Sequence, residues 1–461
     1  MICEVFMAKQ LHSIPMTEGP LGRSIFIFSA PLMLSNLLQV VFNMSDIAVV
    51  GHFAGSAALG SVGSTAQLVS LFTAFLIGMG SGINVLIARH YGSGQKNSTE
   101  SAVHTALTLS ILTGIVICIA GQLLVRPILV LFGTKPELLA GAVLYVRLYF
   151  LGIPAMAVYN FGSAVYDAIG NTKRPLFFLS LAGILNVLLN LFFVIVLKWD
   201  VAGVAVASAV SQFIASILIL RALMKETDCF AIHLNRLRLD RDKARSLLSI
   251  SLMAGLQTAI FPLANLFIQS GVNSFDALMV AGNAAAANAD SIVYGTMDAF
   301  YIACSSFMSQ NYGAGKKKRV IHSYLWSLFW SFGSAFLLGL FLFLNGPAFL
   351  GIFTSDPSVI SSGLLRLNIM AFSYPFSAFM DCTIAASRSL GLTTVPTVIV
   401  LFGSCLFRIL WVRTIFAHFR TIPSLYLLYI FSWGITAFFE IAYFIRSWKR
   451  ISKRMDLYQA R

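Results

Sequence analysis

The chain has 461 residues, of which 58% are hydrophobic and only 11% are charged. Soluble globular domains carry about 25% charged residues, so this chain has too few charges to cover the surface of a soluble multidomain protein. Its 39 Phe residues and abundant aliphatic residues also exclude a disordered chain. The composition therefore predicts a helical protein that crosses the membrane many times, with about 20 apolar residues in each span.

Apolar runs, separated by polar or Gly- and Pro-containing segments, follow one another along the whole chain. We predict six transmembrane helices in residues 24–223 (the N-lobe) and six more in residues 246–446 (the C-lobe). A polar linker at 224–245 joins them, residues 1–23 precede them, and a basic tail at 447–461 follows. The predicted fold class is therefore an all-α integral membrane protein with twelve transmembrane helices.

The two sets of runs form an internal repeat. The Tyr-Gly-x-Gly segment at 91–94 recurs at 312–315, and Pro136, Gly170 and Pro175 each have an identical counterpart at the same offset. Each set has an even number of spans, so both sets enter the membrane from the same side and the repeats are parallel. We predict two six-helix lobes related by a pseudo-twofold axis along the membrane normal, which is the architecture of an alternating-access carrier.

The net charge of +14 comes from 32 Lys and Arg against 18 Asp and Glu. If both termini are cytoplasmic, 24 of the basic residues lie on the cytoplasmic side, five lie outside and three lie within spans. This bias follows the positive-inside rule and predicts a multi-pass protein of the cell (plasma or inner) membrane with both termini in the cytoplasm. No segment resembles a nucleic-acid-binding module, so no nucleic-acid partner is expected.

Motifs for ATP binding and zinc ligation are not found, and the six Cys residues form no CxxC pair. The sequence therefore predicts that the protein is not an enzyme and holds no cofactor. An intramembrane lipid-modifying transferase would need a His/Asp or Ser/His pair at membrane depth, and none is found. A purely structural role does not fit the costly acids inside the spans.

Acids within the predicted spans are the strongest functional signal, because an ionised carboxylate in hydrocarbon is costly. One face of the first helix carries polar residues spaced i, i+3, i+7 and i+10, namely Asn36, Gln39, Asn43 and Asp46. Asn186 and Asn190 share a face of the fifth helix. These oxygens can replace the hydration shell of a small cation, or Asp46 can bind a proton. The alternative for the amides is hydrogen bonding between helices.

A second group of acids lies in the C-lobe. Asp290, Tyr294 and Asp298 recur at four-residue spacing on the eighth helix, and Asp381 lies late in the tenth. Anionic groups beside aromatic rings suit organic cations, which predicts that Asp290, Tyr294 and Asp381 bind substrate. The alternative for Asp298 and Asp381 is hydration near the inner interface. Glu440, near the end of the last span, is expected to be a solvated helix-end charge.

Several short segments occur together in this chain: Thr17–Gly22, Ala30–Met33, Asn43–Gly51, Ala285–Asn288, Ser309–Gly315, and paired Gly-x-Thr-x-x-Pro segments at 170–175 and 391–396. Together they resemble the multidrug and toxic compound extrusion (MATE) transporters over residues 17–450. The resemblance implies a secondary antiporter that exports cationic organic compounds in exchange for inward Na⁺ or H⁺. Small organic cations and the lipid bilayer are then its partners, and a monomer is expected.

The resemblance also implies roles for residues of the N-lobe. Asp46 matches the family's first-helix acid, and Asn186 matches an amide of its N-lobe cation site. Asn190 stands where many members have Asp, and Ser208 stands where Thr is frequent. We predict that these four residues and Asn43 form the cation-coupling set, with Asp46, Asn186 and Asn190 as candidate Na⁺ ligands. The missing Asp leaves the choice between Na⁺ and H⁺ open.

In the C-lobe, Asp381 matches the family's tenth-helix acid. The seventh helix has no carboxylate where some branches carry Glu, and this departure puts proton coupling by the C-lobe in doubt. Gln257 and Asn265 flank that position, and we predict that they bind substrate together with Asn36 and Gln39.

Asp167 stands where an Arg is usual in the family, whereas its repeat counterpart Arg388 keeps the basic residue. The alternative function is that of a lipid-linked saccharide flippase of the same superfamily, which favours a basic central cavity for pyrophosphate. The acids within the spans disfavour that function, with Arg408 as the main exception.

Overall fold

The computed structural model describes residues 13–237 and 239–459, and the described residues contain helices but no strand. In chain order the helices of the first half are α1 (Leu21–Ala54), α2 (Gly55–Gly92), α3 (Lys96–Leu131), α4 (Pro136–Leu151), α5 (Ile153–Ala168), α6 (Lys173–Val196) and α7 (Asp200–Met224). Those of the second half are α8 (Arg241–Val272), α9 (Ala277–Gly313), α10 (Lys317–Leu344), α11 (Gly346–Gly351), α12 (Pro357–Ser389), α13 (Thr394–Phe419) and α14 (Ile422–Gln459).

Within the described residues, ten helices are long and apolar enough to cross a bilayer. Taken as one unit, the α4–α5 pair is also long and apolar enough for an eleventh crossing, with a bend of 45° between the two helices. The twelfth position in the repeat belongs to α9, whose 37 residues include Asn283, Asn288, Asp290 and Asp298 and are therefore less apolar. The predicted all-α membrane fold is confirmed, and α9, which is not among the ten apolar spans, is one of the helices that form the site described below.

The internal repeat is present in the backbone as well as in the sequence. The helix pairs α3 and α10, α4 and α12, and α6 and α13 all begin at the offset that relates the repeated motifs. The turns before them repeat too, because Gly94 and Gly315 both have a φ of 69°. Gly170 and Gly391 have φ values of 91° and 82°. These positive φ values strain any other residue, so the repeated glycines fix the repeated turns.

Each half of the chain encloses apolar cores of its own, and we call α1–α7 the first lobe and α8–α14 the second lobe. The beginnings of α1 and α8 are the exceptions. Leu247 and Ile250 of α8 lie in a buried cluster of the first lobe, whereas the beginning of α1 packs on the second lobe. Ile25 and Phe28 lie in one buried cluster with Phe300 and Phe307 of α9, and the Phe28 and Phe307 rings are 5.5 Å apart. The first helix therefore contacts both lobes.

The turns at 93–95, 169–172, 314–316 and 390–393 and the linker after α7 lie at one end of the bundle, which we call the basic face. There the backbones of α2 and α9 touch: a Cβ on Gly92 would overlap the carbonyl oxygen of Gln310, and a Cβ on Gly313 would overlap that of Arg89. The internal repeat relates these two contacts to each other, because Arg89 and Gln310 are counterparts at the same offset as the two glycines. The lobes are thus sealed against each other at the basic face.

Hydrogen bonds across the lobes add to this seal. The Asn84 amide of α2 donates to Ser306 Oγ of α9 at 2.9 Å. Gln310 Nε2 donates to the carbonyl of Ala168 at 2.6 Å. Arg89 Nη2 donates to the carbonyl of Ser389 at 2.9 Å. Opening the basic face therefore requires these bonds to break together with the glycine contacts.

The segment before α1 crosses the line between the lobes. The Ile14 backbone N–H donates to the Gly170 carbonyl of the first lobe at 3.0 Å. Asn311 of the second lobe donates to the Met16 carbonyl at 3.0 Å, and Arg319 donates to the Met16 carbonyl at 3.1 Å. Residues 14–19 therefore form a strap over the basic face.

The linker between the lobes is attached to the first lobe at this face. The His233 backbone N–H donates to His104 Nε2 at 3.1 Å, and Ser101 Oγ donates to the Asp240 carboxylate at 2.9 Å. Asp240 also caps α8, and the backbone N–H of Lys243 together with Ser101 holds the pKa of its carboxyl below the usual range. The start of α8 is thereby fixed to α3.

The glycine contacts predict that Gly313→Ala opens the basic face. A methyl group at this position must push the Arg89 carbonyl away, and overpacking of this kind costs about 1–3 kcal/mol, or roughly 5- to 150-fold in the open-to-closed ratio. The labelling rate of Ser305→Cys by a membrane-impermeant maleimide added at the basic face, in a background free of other cysteines, measures this ratio. The matched control is Gly333→Ala, because a Cβ there meets no atom within 4 Å. Equal labelling rates in the two variants would contradict the prediction.

Candidate functional site

A cavity of about 270 Å³ lies between the two lobes. Helices α2 and α5 of the first lobe and α8, α9 and α12 of the second lobe line it. The charged residues on its wall are Asp167 from α5, Asp298 from α9, and Asp381 and Arg388 from α12. Three acids therefore face a single base among the described lining residues.

Arg388 is held by neutral groups on the cavity wall. Its Nη1 donates to Ser81 Oγ at 2.8 Å and also to the Tyr301 hydroxyl, and its Nη2 donates to Gln257 Oε1 at 2.5 Å. The guanidinium carbon lies 5.6 Å from the centre of the Tyr301 ring. Its hydrogen bonds thus fix the guanidinium in place and leave the three carboxylates available to a ligand.

The acids of the cavity have few partners of their own. Asn36 donates to Asp298 Oδ2 at 3.4 Å and to the Gly295 carbonyl at 2.7 Å. Asp167 is 5% exposed, and its Oδ1 has no hydrogen-bond partner in the described part of the chain. Asp298 and Asp381 lie on the wall of the cavity between the lobes.

The cavity contains part of the predicted substrate set. Tyr294, Asp381 and Gln257 line it, and Asn36 reaches it through its bond to Asp298. The ring of Phe261 and the rings of Tyr294 and Tyr301 make part of the wall aromatic. Carboxylates beside aromatic rings can bind an organic cation through charge pairing and cation–π contact.

Asp290 has a different environment from that predicted. Its Oδ2 accepts from Arg366 Nη2 at 2.5 Å, and its Oδ1 accepts from the Tyr374 hydroxyl at 2.6 Å. Arg366 also donates to the Asn283 carbonyl at 2.8 Å. Both carboxylate oxygens are therefore used inside the second lobe, and Asp290 is not on the cavity wall. This geometry favours a structural role for Asp290.

Asn265 and Gln39, the other predicted substrate residues, also lie off the cavity wall. Asn265 Oδ1 is 3.5 Å from Arg408 Nη1. The Arg408 guanidinium lies over the rings of Tyr429, at 4.7 Å, and Trp433, at 5.9 Å. Gln39 is an exposed residue of α1. Arg408, the base that the sequence analysis noted within the spans, is thus held by aromatic rings within the second lobe.

The predicted cation-coupling residues assemble in the first lobe. Asn190 Nδ2 donates to Asp46 Oδ1 at 2.5 Å and to Asn186 Oδ1 at 3.2 Å, and Asn186 Nδ2 donates to Ser208 Oγ at 3.4 Å. These residues come from α1, α6 and α7, and all but Asp46 are buried. Asn43 stays exposed one turn earlier on α1.

This first-lobe cluster has the chemistry of a site for a hard cation. Its carboxylate, amide and hydroxyl oxygens are the ligand types that such cations prefer. Asn190 Oδ1 is buried and has no hydrogen-bond partner among the described residues, so one oxygen is free to bind an ion. The residues therefore fit a bound Na⁺, and the Asp46 carboxylate also fits a bound proton. Within the described residues, no group of three or more His, Cys, Asp and Glu side chains could hold a metal ion.

Glu440 corrects an expectation drawn from the sequence. We expected a solvated charge at a helix end, but Glu440 is 0% exposed and both of its carboxylate oxygens lack hydrogen-bond partners in the described residues. The cause is the length of α14, which continues to Gln459 and places Glu440 in the middle of the helix. The nearby charge that acts on it is that of Arg388.

The comparisons with known proteins agree with this architecture. The family model described as MatE matches residues 31–192 and 254–412, one stretch in each lobe. The chain is 28% identical over 363 residues to the probable multidrug resistance protein YpnP of Bacillus subtilis (strain 168), with 78% of this chain and 80% of the relative covered. It is 23% identical over 401 residues to the probable multidrug resistance protein NorM of Thermotoga maritima, with 85% of each covered.

A third relative is named FAD transporter, from Shewanella oneidensis, and is 25% identical over 361 residues, with 76% of this chain and 78% of the relative covered. Among solved structures, MATE in complex with MaL6 superposes with a TM-score of 0.89 at 20% identity, over 96% of this chain and 100% of that chain. A multidrug resistance MATE family transporter of the MOP superfamily, in an outward-facing conformation, gives a TM-score of 0.88 at 20% identity over the same shares. These superpositions establish the fold.

The pairing of Asp290 predicts that Asp290→Asn destabilises the second lobe. Removing one partner of a buried ion pair leaves an uncompensated charge and costs about 3–5 kcal/mol. The double variant Asp290→Asn with Arg366→Met removes that charge and should recover most of the loss in Tm, measured by thermal unfolding in detergent. If Asp290→Asn instead kept the wild-type Tm and lost organic-cation binding, a substrate-binding role would replace the structural one.

Proposed function

Because the chain belongs to the MatE family of multidrug and toxic compound extrusion transporters, we propose that it exports organic cations in exchange for inward Na⁺ or H⁺. The observation that carries the proposal is the cavity between the lobes, whose wall holds three acids and one base among the described residues. Alternating access would present this cavity to one side of the membrane at a time.

The charge of the cavity supports a cationic substrate over an anionic one. A lipid-linked saccharide flippase needs basic groups for a pyrophosphate, and the described wall offers only Arg388 for that purpose. An anionic dinucleotide, as the name of the Shewanella relative implies for that protein, would meet the carboxylates of Asp167, Asp298 and Asp381. Like charges at short range disfavour binding, so a cationic substrate fits best.

The first-lobe cluster around Asp46 is our candidate for ion coupling. Its acid, Asp46, lies in the later half of α1, and the earlier half of this helix packs on α9 of the second lobe. An ion that neutralises Asp46 changes its contacts with Asn190, and α1 can transmit this change to the second lobe. Coupling then arises if the cluster has different ion affinities in the two states, since a ligand shifts an equilibrium only by its differential affinity.

We propose that the basic face is cytoplasmic and that both termini lie there, in the cell membrane, because the positive-inside rule assigns basic loops to that side. The N-lobe at 24–223 and the C-lobe at 246–446 would then move as two units about the linker. Cytoplasmic loading of substrate would require the contacts of Gly92 and Gly313 to part.

The coupling model predicts that Asp46→Asn strongly reduces gradient-driven efflux and leaves the binding of the organic cation intact. The amide cannot take up a proton or offer a charged oxygen to Na⁺, so efflux should fall by at least about tenfold, within the usual range of coupling energies. Dye efflux from proteoliposomes under separately imposed Na⁺ and H⁺ gradients measures the effect and identifies the ion. Equilibrium binding of the same dye should stay within about threefold.

The matched control for this experiment is Glu137→Gln. Glu137 is exposed in the first turn of α4 and lies outside both the cavity and the first-lobe cluster. Glu137→Gln therefore makes the same change in charge at a position with no proposed role in transport. Retained efflux by Asp46→Asn under both gradients would exclude the first-lobe cluster as the coupling site. An equal loss in Glu137→Gln would show that the effect is not specific to Asp46.

A further inference from the structure

Asp167, like Asp298, is an acid of the cavity that neither the coupling set nor the predicted substrate set includes, and it is the one that comes from the first lobe. It lies in the last turn of α5, is 5% exposed, and its Oδ1 has no hydrogen-bond partner in the described residues. Ser305 Oγ and Gln257 Nε2, on the opposite lobe, line the same cavity and also lack partners. Buried polar atoms are nearly always hydrogen-bonded, so three unpartnered atoms around one cavity indicate that water or a ligand occupies it, and of the three Asp167 Oδ1 and Ser305 Oγ can accept hydrogen bonds from a cationic group.

The acids of the cavity come from both lobes. Asp167 belongs to α5 of the first lobe, whereas Asp298 and Asp381 belong to α9 and α12 of the second. A monovalent cation can be neutralised by one side of the cavity alone. A ligand with two cationic groups can pair with both sides at once, and this would neutralise the carboxylates that the lobes bring together.

The repeat shows how Asp167 changes the cavity. Asp167 and Arg388 are counterparts at the offset of the repeated motifs, so one position of the repeat carries an acid in the first lobe and a base in the second. A base in both lobes would balance the carboxylates of Asp298 and Asp381. With Asp167 present, three carboxylates oppose one guanidinium, and the described wall has a formal charge of −2 when all four groups are ionised.

We propose that the cavity binds a small aliphatic dication, of the diamine or bis-guanidine class, and that Asp167 determines its preference for two positive charges. One cationic group pairs with Asp167 and the other with Asp298 and Asp381. The side chains of Met297, Ile302 and Tyr301 provide an apolar and aromatic surface for the connecting chain. A volume of about 270 Å³ lies near the lower end of the range for ligand pockets and suits a compact ligand.

This inference rests on the proposed export of organic cations and specifies the substrate class. The test is isothermal titration of the purified full-length protein with 1,6-diaminohexane and with hexylamine, which differ by one ammonium group. The wild type should bind the diamine at least tenfold more tightly. Asp167→Asn should weaken diamine binding at least tenfold and change hexylamine binding less than threefold. Glu137→Gln should change neither.

A second variant covers the case in which Asp167→Asn does not fold. Asp167→Glu keeps the charge and should keep the diamine preference, whereas loss of that preference would overturn the proposal. Equal wild-type affinity for the two amines, or an equal effect of Asp167→Asn on both, would also overturn it while leaving export of organic cations in place. If neither amine nor any cationic dye binds, the proposed function itself fails.

Discussion

The cost of placing a charge inside a bilayer governs where the charged side chains of this protein lie. Asp290 meets that cost by pairing with Arg366, and Arg408 meets it by lying over aromatic rings. Asp167, Asp298 and Asp381 have neither kind of partner and face the cavity between the lobes, whereas Glu440 lacks partners among the described residues and lies off its wall. The three unpaired acids on the cavity wall therefore mark the site, because a ligand or water there can compensate their charge.

The first helix connects that cavity with the first-lobe cluster. Asn36 contacts Asp298 in the cavity, and Asp46, ten residues later and about 15 Å further along the helix, contacts Asn190. One helix thus carries a hydrogen bond to each lobe. Because its beginning packs on α9 and its later part contacts α6, a relative movement of the lobes must move or bend it, and Pro31, within the part that contacts α9, is a position where a helix can bend.

The features that depend on local sequence could be predicted, and those that depend on packing between helices could not. Apolar runs and repeated glycines gave the helices, the repeat and the basic face, because each needs only hydropathy, spacing or a positive φ. The composition of the Asp46 cluster followed from the family resemblance. The pairing of Asp290 with Arg366, 76 residues apart in the chain, and the burial of Glu440 depend on which helices meet, and no local pattern encodes this. One feature of the sequence pointed to Asp167: it is an acid at the repeat position where its counterpart, Arg388, is a base.

The proposed exchange requires the organic cation and the coupling ion to shift one movement of the two lobes in opposite directions. Spin labels at Lys173→Cys and Lys318→Cys, exposed residues of different lobes at the basic face, would report this movement as a distance distribution. In a background free of other cysteines, the organic cation should increase the population with the short distance, and the coupling ion should increase the population with the long one. A shift of both ligands in the same direction, or no shift with either, would contradict the account.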